Sequence, residues 1–327
     1  MIILKKILII FLSLITLISC SIKKDKKEVE EEKERKYLIG ISQIIAHPSL
    51  DKVVLGIKDV LKNENVDIQV MVANGELGTA NLIASNFKKS KDIVIGVGTG
   101  TSQALKNNID NKAIVFSAVT DPKSAGLISS NITGVSDMIL DVKESLMLLK
   151  AKFPNIKSIG VLYSTSELNS AVQLENIEKI AKELNIKVIK GGATNANDLV
   201  QITNVLIEKV DALYIPTDNL VVSNIKYVAD VSINHKKPLV ASDSSSVENG
   251  ALFAKGVDYY ELGKRTGEMV LDILKGKDVS QIPYEMMSKT KLYVNENTAK
   301  ILEVNFSEEK EYYGRTKHIH INYTRIN

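Results

Sequence analysis

From Tyr37 onward, short apolar runs alternate with amphipathic stretches of helical period, and that alternation leaves few folds open to the chain. Residues 37–41, 66–72, 93–97 and 113–119 read as strands. Helices are expected over 48–63, 78–88 and 101–107, with a short one near 122–127. A second set repeats the order. Strands are expected over 158–163, 186–190, 212–216, 238–241 and 251–255, and helices over 167–184, 196–209 and 220–235. A helical turn near Val247 and a long helix over 259–275 complete the set. Strands flanked by helices in this way build a parallel, doubly wound sheet. The two sets also keep phase. Ile39-Gly40-Ile41-Ser42 matches Ile159-Gly160-Val161-Leu162, and Asp92-Ile93-Val94-Ile95 matches Asp211-Ala212-Leu213-Tyr214. The segment from Val115 to Asp121 corresponds to Leu239 to Asp243, so the offset stays near 120 residues throughout. A constant phase reads as a structural duplication. The expected fold class is α/β, with two doubly wound parallel-sheet lobes one after the other.

The N-terminus has a different grammar. Lys5 and Lys6 precede an apolar run from Ile7 to Ile18. That run is too short to cross about 30 Å of hydrocarbon as a helix. A basic start followed by such a run is a signal peptide, expected over residues 1–19. It ends in Leu17-Ile18-Ser19-Cys20, which resembles the bacterial lipobox, in which the cysteine becomes lipidated and the new N-terminus. Cys20 is the one cysteine of the chain, which excludes an intramolecular disulfide and a cysteine-based metal site. Residues 20–36 read as the lipidated cysteine and a charged tether, since 23–36 carries a single apolar residue, Val29. The expected location is the cell envelope, outside the cytoplasm, with the chain lipid-anchored to a membrane. A net charge of +3, evenly spread, argues against a nucleic-acid partner. With no tryptophan among 327 residues, any aromatic wall must come from the 11 Tyr and 6 Phe.

In an open parallel sheet, ligands bind beyond the carboxyl ends of the strands. Those positions are polar in both halves. Ser42, Gln43 and His47 follow the first strand. The run Gly98-Thr99-Gly100-Thr101-Ser102 follows the third, and Thr120 and Asp121 follow the fourth. In the second half they are Ser164 to Ser170, then Thr217-Asp218-Asn219, then Ser242-Asp243-Ser244-Ser245-Ser246. Any one of them can be a helix cap, but six strand ends carry more hydroxyls and carboxylates than capping requires. The run from Gly96 to Ser102 follows a strand and opens a helix. It lacks both the G-x-G-x-x-G spacing and the P-loop lysine, so its amides are expected to receive a carboxylate rather than a nucleotide. No cofactor and no metal is expected. The catalytic motifs HExxH and G-x-S-x-G do not occur, and His318 and His320 read as incidental.

Several segments together carry a resemblance to a known family: Gly40-Ile41-Ser42-Gln43-Ile44 with His47-Pro48, the stretch from Ser117 to Leu127, and Asn131 to Asp137. Gly160 to Tyr163 with Ser166-Glu167 and Asn169-Ser170, Pro216-Thr217-Asp218-Asn219, Gly250 to Leu252 and Asp258 to Gly263 complete the set. Over about residues 37–299 the chain resembles the substrate-binding lipoproteins of ABC importers, in the tryptophan/tyrosine-type branch with a type I periplasmic-binding fold. The resemblance implies no enzymatic activity and two lobes with a hinge and an interlobe cleft. The N-terminal lobe is then 37–137 plus about 258–279, and the C-terminal lobe 138–257 plus about 280–305. The role of the tail, 306–327, is left open. The implied function is capture of a small solute, an amino acid and within that class an aromatic one, and its delivery to an ABC permease.

Joined to the residue reading, the resemblance gives an expected ligand site. Thr99, Thr101 and Ser102 with helix amides suit the ligand carboxylate. Asp218, Asp243 or Asp121, and less so Glu167, suits the ammonium. Gln43, Asn169 and Asn219 orient both, and the side chain lies against Ile44 and a Tyr or Phe. Ser42, Thr120, Ser170, Thr217 and Ser244 complete the site. Two other readings compete: an enzyme on a doubly wound fold, and a ligand-sensing receptor lipoprotein acting through a signalling partner. The enzyme lacks a nucleophile or cofactor loop; the receptor would use the same cleft.

Overall fold

The structure, a computed structural model, describes residues 36–138, 142–287, 289–306 and 323–326. Cys20, the expected signal segment, nearly all of the tether, and His318 and His320 lie outside the described residues. Two sheets organise the chain. The first contains β1 (Tyr37–Gln43), β2 (Val66–Val72), β3 (Ile93–Val97), β4 (Ala113–Ser117), β5 (Ile132–Ser136) and β11 (Glu285–Met286), in the order β11-β5-β4-β3-β1-β2, all parallel. The second contains β6 (Ser158–Ser164), β7 (Lys187–Ala193), β8 (Ala212–Ile215), β9 (Leu239–Ala241), β10 (Phe253–Gly256), β12 (Lys291–Asn295) and β13 (Tyr323–Ile326). Its order is β13-β12-β10-β9-β8-β6-β7, with β10 and β12 antiparallel.

Every residue of β3, β5, β8 and β9 is buried, which is the signature of parallel strands covered on both faces. The covering helices of the first sheet include α1 (Pro48–Leu61), α2 (Leu77–Ser90) and α3 (Thr99–Asn108). Those of the second include α4 (Val142–Lys152), α5 (Leu168–Glu183), α6 (Ala196–Ile207), α7 (Asn219–Ser223), α8 (Ile225–Asn234) and α9 (Ser244–Glu248). Helix α1 shows how the local sequence dictates the element. Pro48 opens it at the one turn where a missing N–H costs nothing, and Leu50, Val53, Val54, Ile57 and Leu61 recur on one buried face.

That face meets α10 (Tyr259–Leu274), which follows β10 of the second sheet yet packs into the first core with Leu262, Met269 and Val270. The helices touch backbone to backbone. A Cβ on Gly56 would sit 2.3 Å from the Tyr260 carbonyl oxygen, and one on Gly263 would sit 2.1 Å from that of Val53, so only glycine fits either position. The chain therefore passes between the sheets three times: after β5, after β10, and between β11 and β12. After η1 (Val279–Gln281) it returns to the first sheet at β11, and α11 (Glu296–Ile301) follows β12.

The structure departs from the sequence reading at several places. Residues 122–127 are turns, not a helix. Asp121 accepts the amides of Lys123 and Ser124 at 3.0 Å each, and Gly126 turns left-handed at φ +70°. The single helix expected over 220–235 is two, α7 and α8, broken at Asn224. The strands β5 and β12 and the helices α4 and α11 have no counterpart in the reading. Glu285–Met286, expected in the second lobe as part of 280–305, pairs with Val135–Ser136 in the first sheet. In the tail, β13 lies parallel beside β12.

Candidate functional site

The carboxyl ends of the two sheets face one another, and their loops form the walls of a cleft. On the first side the chain turns sharply after two strands. Gly98 adopts φ +98°, and a Cβ there would meet Ile44 Cγ2 at 2.6 Å, so glycine lets the loop pass beneath Ile44. Ala118 sits at φ +53°, a strained left-handed position for a residue with a side chain, beside the cleft. On the second side, Asp218 caps α7 by accepting the Val221 amide at 2.8 Å, and Asp243 caps α9 by accepting that of Ser246 at 3.1 Å.

Among the described residues, side chains bridge the cleft from Ser49, His47 and Lys52. Ser49 Oγ donates to Asp243 Oδ1 at 2.9 Å and lies 2.9 Å from Ser245 Oγ. His47 Nε2 meets Asn219 Oδ1 at 3.2 Å. Lys52 pairs with Glu248 at 2.6 Å at the more exposed rim. The lobes are thus closed onto each other.

Closure leaves two spaces. The larger is about 330 Å³, room for an amino-acid side chain, with Ile44, Ile45, Leu77, Leu168 and Leu220 as its apolar wall. Polar groups converge on it from Thr99, Gly100, Glu167, Asn169 and Asn219, and also from Asn74, Gln103 and Asn195. The smaller is about 10 Å³, water-sized, and is lined by Thr99, Thr120, Asn169, Thr217, Asp218, Asn219 and Asp243 together with His47, Asp137 and Tyr259.

The expected residues Ile44, Thr99, Thr120, Glu167, Asn169, Thr217, Asp218, Asn219 and Asp243 therefore come together. The others line neither space. Thr101 Oγ1 bonds the Ser42 hydroxyl, and Ser102 Oγ donates to the Gly98 carbonyl at 2.8 Å. Gln43 bonds Asp51, Ser170 donates to Asp218 at 2.6 Å, Asp121 caps its own turn, and Ser244 lines neither space. The larger wall is aliphatic; the Tyr or Phe expected against Ile44 is absent from it, and Tyr259 lines the smaller space instead.

The charge balance is unusual. Asp137, Asp218 and Asp243 are each at most 2% exposed, with Glu167 nearby, and none of the four forms an ion pair among the described residues. Their remaining capacity differs. Asp218 accepts from the Ser164 amide, the Ser170 hydroxyl and the Val221 amide. Asp243 accepts from Ser49, Ser245 and Ser246 hydroxyls and the Ser246 amide. Glu167 takes the amides of Asn219 and Leu220 and the side chains of Asn169 and Asn219. Asp137 accepts, among the described residues, from the Thr120 hydroxyl at 3.0 Å and the Tyr259 hydroxyl at 3.2 Å. Burial pushes the Asp137 carboxyl up to about 6, and burial together with the charge of Glu167 raises Asp218. Burial also lifts the Tyr259 phenol well above its ordinary value, which keeps it a donor to Asp137. Asp137 lies outside the expected ligand set. It directly follows β5, and recognising that strand would have exposed it.

A model of the family described as ABC transporter substrate binding protein matches residues 38–314. Among curated proteins, the chain is 36% identical over 293 residues to the tyrosine-binding protein of Clostridioides difficile (strain R20291), covering 86% of this chain and 84% of the relative. Among solved structures it superposes on an ABC domain in complex with L-Trp from Streptococcus pneumonia, with TM-score 0.80 and 31% identity, over 84% of this chain and 97% of that one. An open, ligand-free substrate binding protein with adhesive properties from Clostridium difficile gives TM-score 0.63 at 35% identity, over 89% of this chain and 100% of that one. The higher identity goes with the poorer superposition, and that relative is the open one; the contacts across the present cleft agree with this difference.

Proposed function

Because the chain belongs to the family of ABC transporter substrate binding proteins, which bind solutes and are not enzymes, we propose that its cleft captures an amino acid with an aromatic side chain and hands it to an ABC permease. The observation that carries this reading is Asp137, a buried carboxylate with two neutral donors, acceptor capacity to spare and no ion pair among the described residues. A ligand ammonium answers all three conditions, since it brings both the missing charge and the missing donors. The N-terminal amides of α3 at Thr99 and Gly100, with the Thr99 hydroxyl, suit the ligand carboxylate. The larger space then takes the side chain between Ile44 and Leu220, and its polar groups accommodate a phenol or an indole N–H. The tyrosine-binding relative and the tryptophan complex support an aromatic amino acid.

In this reading residues 1–19 are a signal peptide, Cys20 carries the lipid, and the charged tether holds the two lobes off the membrane, outside the cytoplasm and beside the permease. Among the described residues no helix is long and apolar enough to cross a membrane. The test is calorimetric titration of the chain carrying Cys20→Ser with L-tyrosine, L-tryptophan, L-phenylalanine and, as a control, ribose. Mass spectrometry of any small molecule released on unfolding accompanies it. Binding of an aromatic amino acid at one site per chain is expected; saturable binding of ribose with none of any amino acid would overturn the reading. Uptake of labelled tyrosine by cells with and without the gene tests delivery to the permease.

A further inference from the structure

One group in the cleft has a hydrogen-bonding state fixed from a distance. Glu167 is a carboxylate and can only accept, so the Asn219 Nδ2 that lies 2.6 Å from its Oε2 must donate to it. That bond fixes the amide the other way round at its far end. Asn219 Oδ1 faces His47 Nε2 at 3.2 Å, and an oxygen there requires the imidazole to carry its proton on Nε2. The second ring nitrogen, Nδ1, is then a bare acceptor. It is buried and has no partner among the described residues, in a residue only 7% exposed that lines the water-sized cavity with Asp137. Burial lowers the imidazole pKa against the opposing pull of Asp243, Asn219, Asp51 and Glu167, so the ring is neutral near pH 7. A buried acceptor left alone is costly.

We propose that His47 is a ligand-binding residue whose Nδ1 accepts a hydrogen bond from the ammonium of the bound amino acid, with Glu167 and Asn219 as positioning residues that set its tautomer. This rests on the amino-acid reading above. His47 and Asp137 together take two of the three ammonium protons. Because His47 stands on the first lobe and Asn219 and Glu167 on the second, the acceptor is fixed only when the lobes close. The relay therefore favours ligands with an amino group specifically in the closed form, whatever their side chain.

The test uses the full chain with Cys20→Ser, labelled with 15N at its four histidines. Assignment of His47 uses His47→Gln, which keeps a group in reach of Asn219 but has nothing in place of Nδ1. The expected spectrum with L-tyrosine shows the Nε2–H tautomer, with the Nδ1 resonance moved from its position without ligand. Asn219→Ala is expected to mix the tautomers. His47→Gln is expected to weaken L-tyrosine and L-phenylalanine alike, by about 10- to 100-fold. An Nδ1–H tautomer, or an Nδ1 resonance unmoved by saturating tyrosine, overturns the proposal while leaving amino-acid binding intact. So does a His47→Gln loss confined to tyrosine, which would put Nδ1 on the phenol. Should His47→Gln not fold, the wild-type and Asn219→Ala spectra decide alone. If no amino acid binds the wild type, the underlying reading falls and this inference with it.

Discussion

Replacing Asp137 with Asn separates what this carboxylate does for the fold from what it does for the ligand. Burial lifts its carboxyl from 3.8 to about 6, so the folded state prefers the protonated form. Between those values the folded chain binds more protons than the unfolded one, and stability falls as pH rises through the window. Above it the penalty is complete, and the shift corresponds to about 3 kcal/mol at neutral pH. Asn removes the charge and keeps the size, but weakens the bonds from Thr120 and Tyr259 by about 1 kcal/mol in total. The ligand-free variant should therefore be more stable than wild type at pH 7.5, by about 2 kcal/mol, and less distinguishable from it near pH 4. At about 2–4 °C per kcal/mol for a chain of this order of size, calorimetry will read the difference as a Tm rise of about 4–8 °C. Ligand binding should move the opposite way. Losing one partner of a buried charge pair costs about 2–5 kcal/mol, an affinity loss of about 30- to 5,000-fold for tyrosine. Wild-type affinity should also fall about tenfold per pH unit below 6, a slope the variant lacks. A variant with a lower Tm at pH 7.5, or with wild-type affinity for tyrosine, refutes the argument.

Other substitutions address closure, backbone and anchoring. Ser49→Ala removes the cross-cleft bond to Asp243. A bond to a charged group contributes about 1.5–3 kcal/mol, so titration should show about 10- to 100-fold weaker binding, with less compaction on ligand addition in solution scattering. Lys52→Ala removes a half-exposed pair across the same cleft and should change affinity by less than about fivefold. Gly98→Ala places a Cβ at φ +98° against Ile44, and thermal unfolding should register a loss of about 1–3 kcal/mol. Cys20→Ser should move the protein from the detergent phase to the aqueous phase on partitioning; unchanged detergent partition would remove the lipid anchor from the proposed function.

The sheets and most helices were readable in the sequence because their apolar periodicity is set by burial on two faces. The residues that failed to announce themselves share a cause. Thr133, Gly134 and Ser136 make β5 look like a loop, although every residue of it is buried. Missing β5 hid Asp137, and with it the carboxylate best able to take a ligand. Reading strand ends did bring Asp218, Asp243 and Glu167 to the cleft. It could not show that their oxygens are already engaged, since that depends on Ser164, Ser170 and Ser49 arriving from other elements. The break between α7 and α8 at Asn224 likewise turns on local bonds from its side chain to Leu220 and Ser223, which periodicity does not carry.

The packing of α10 against α1 bears on how the chain comes into being. The glycine-lined face of α1 has no cover until a helix made about two hundred residues later arrives. A growing polypeptide therefore cannot finish its first lobe while the second is still being synthesised. Contacts this distant along the chain slow folding, and in the export proposed above that delay would serve the chain, because one that stays loose until nearly all of it has emerged can be threaded through a channel.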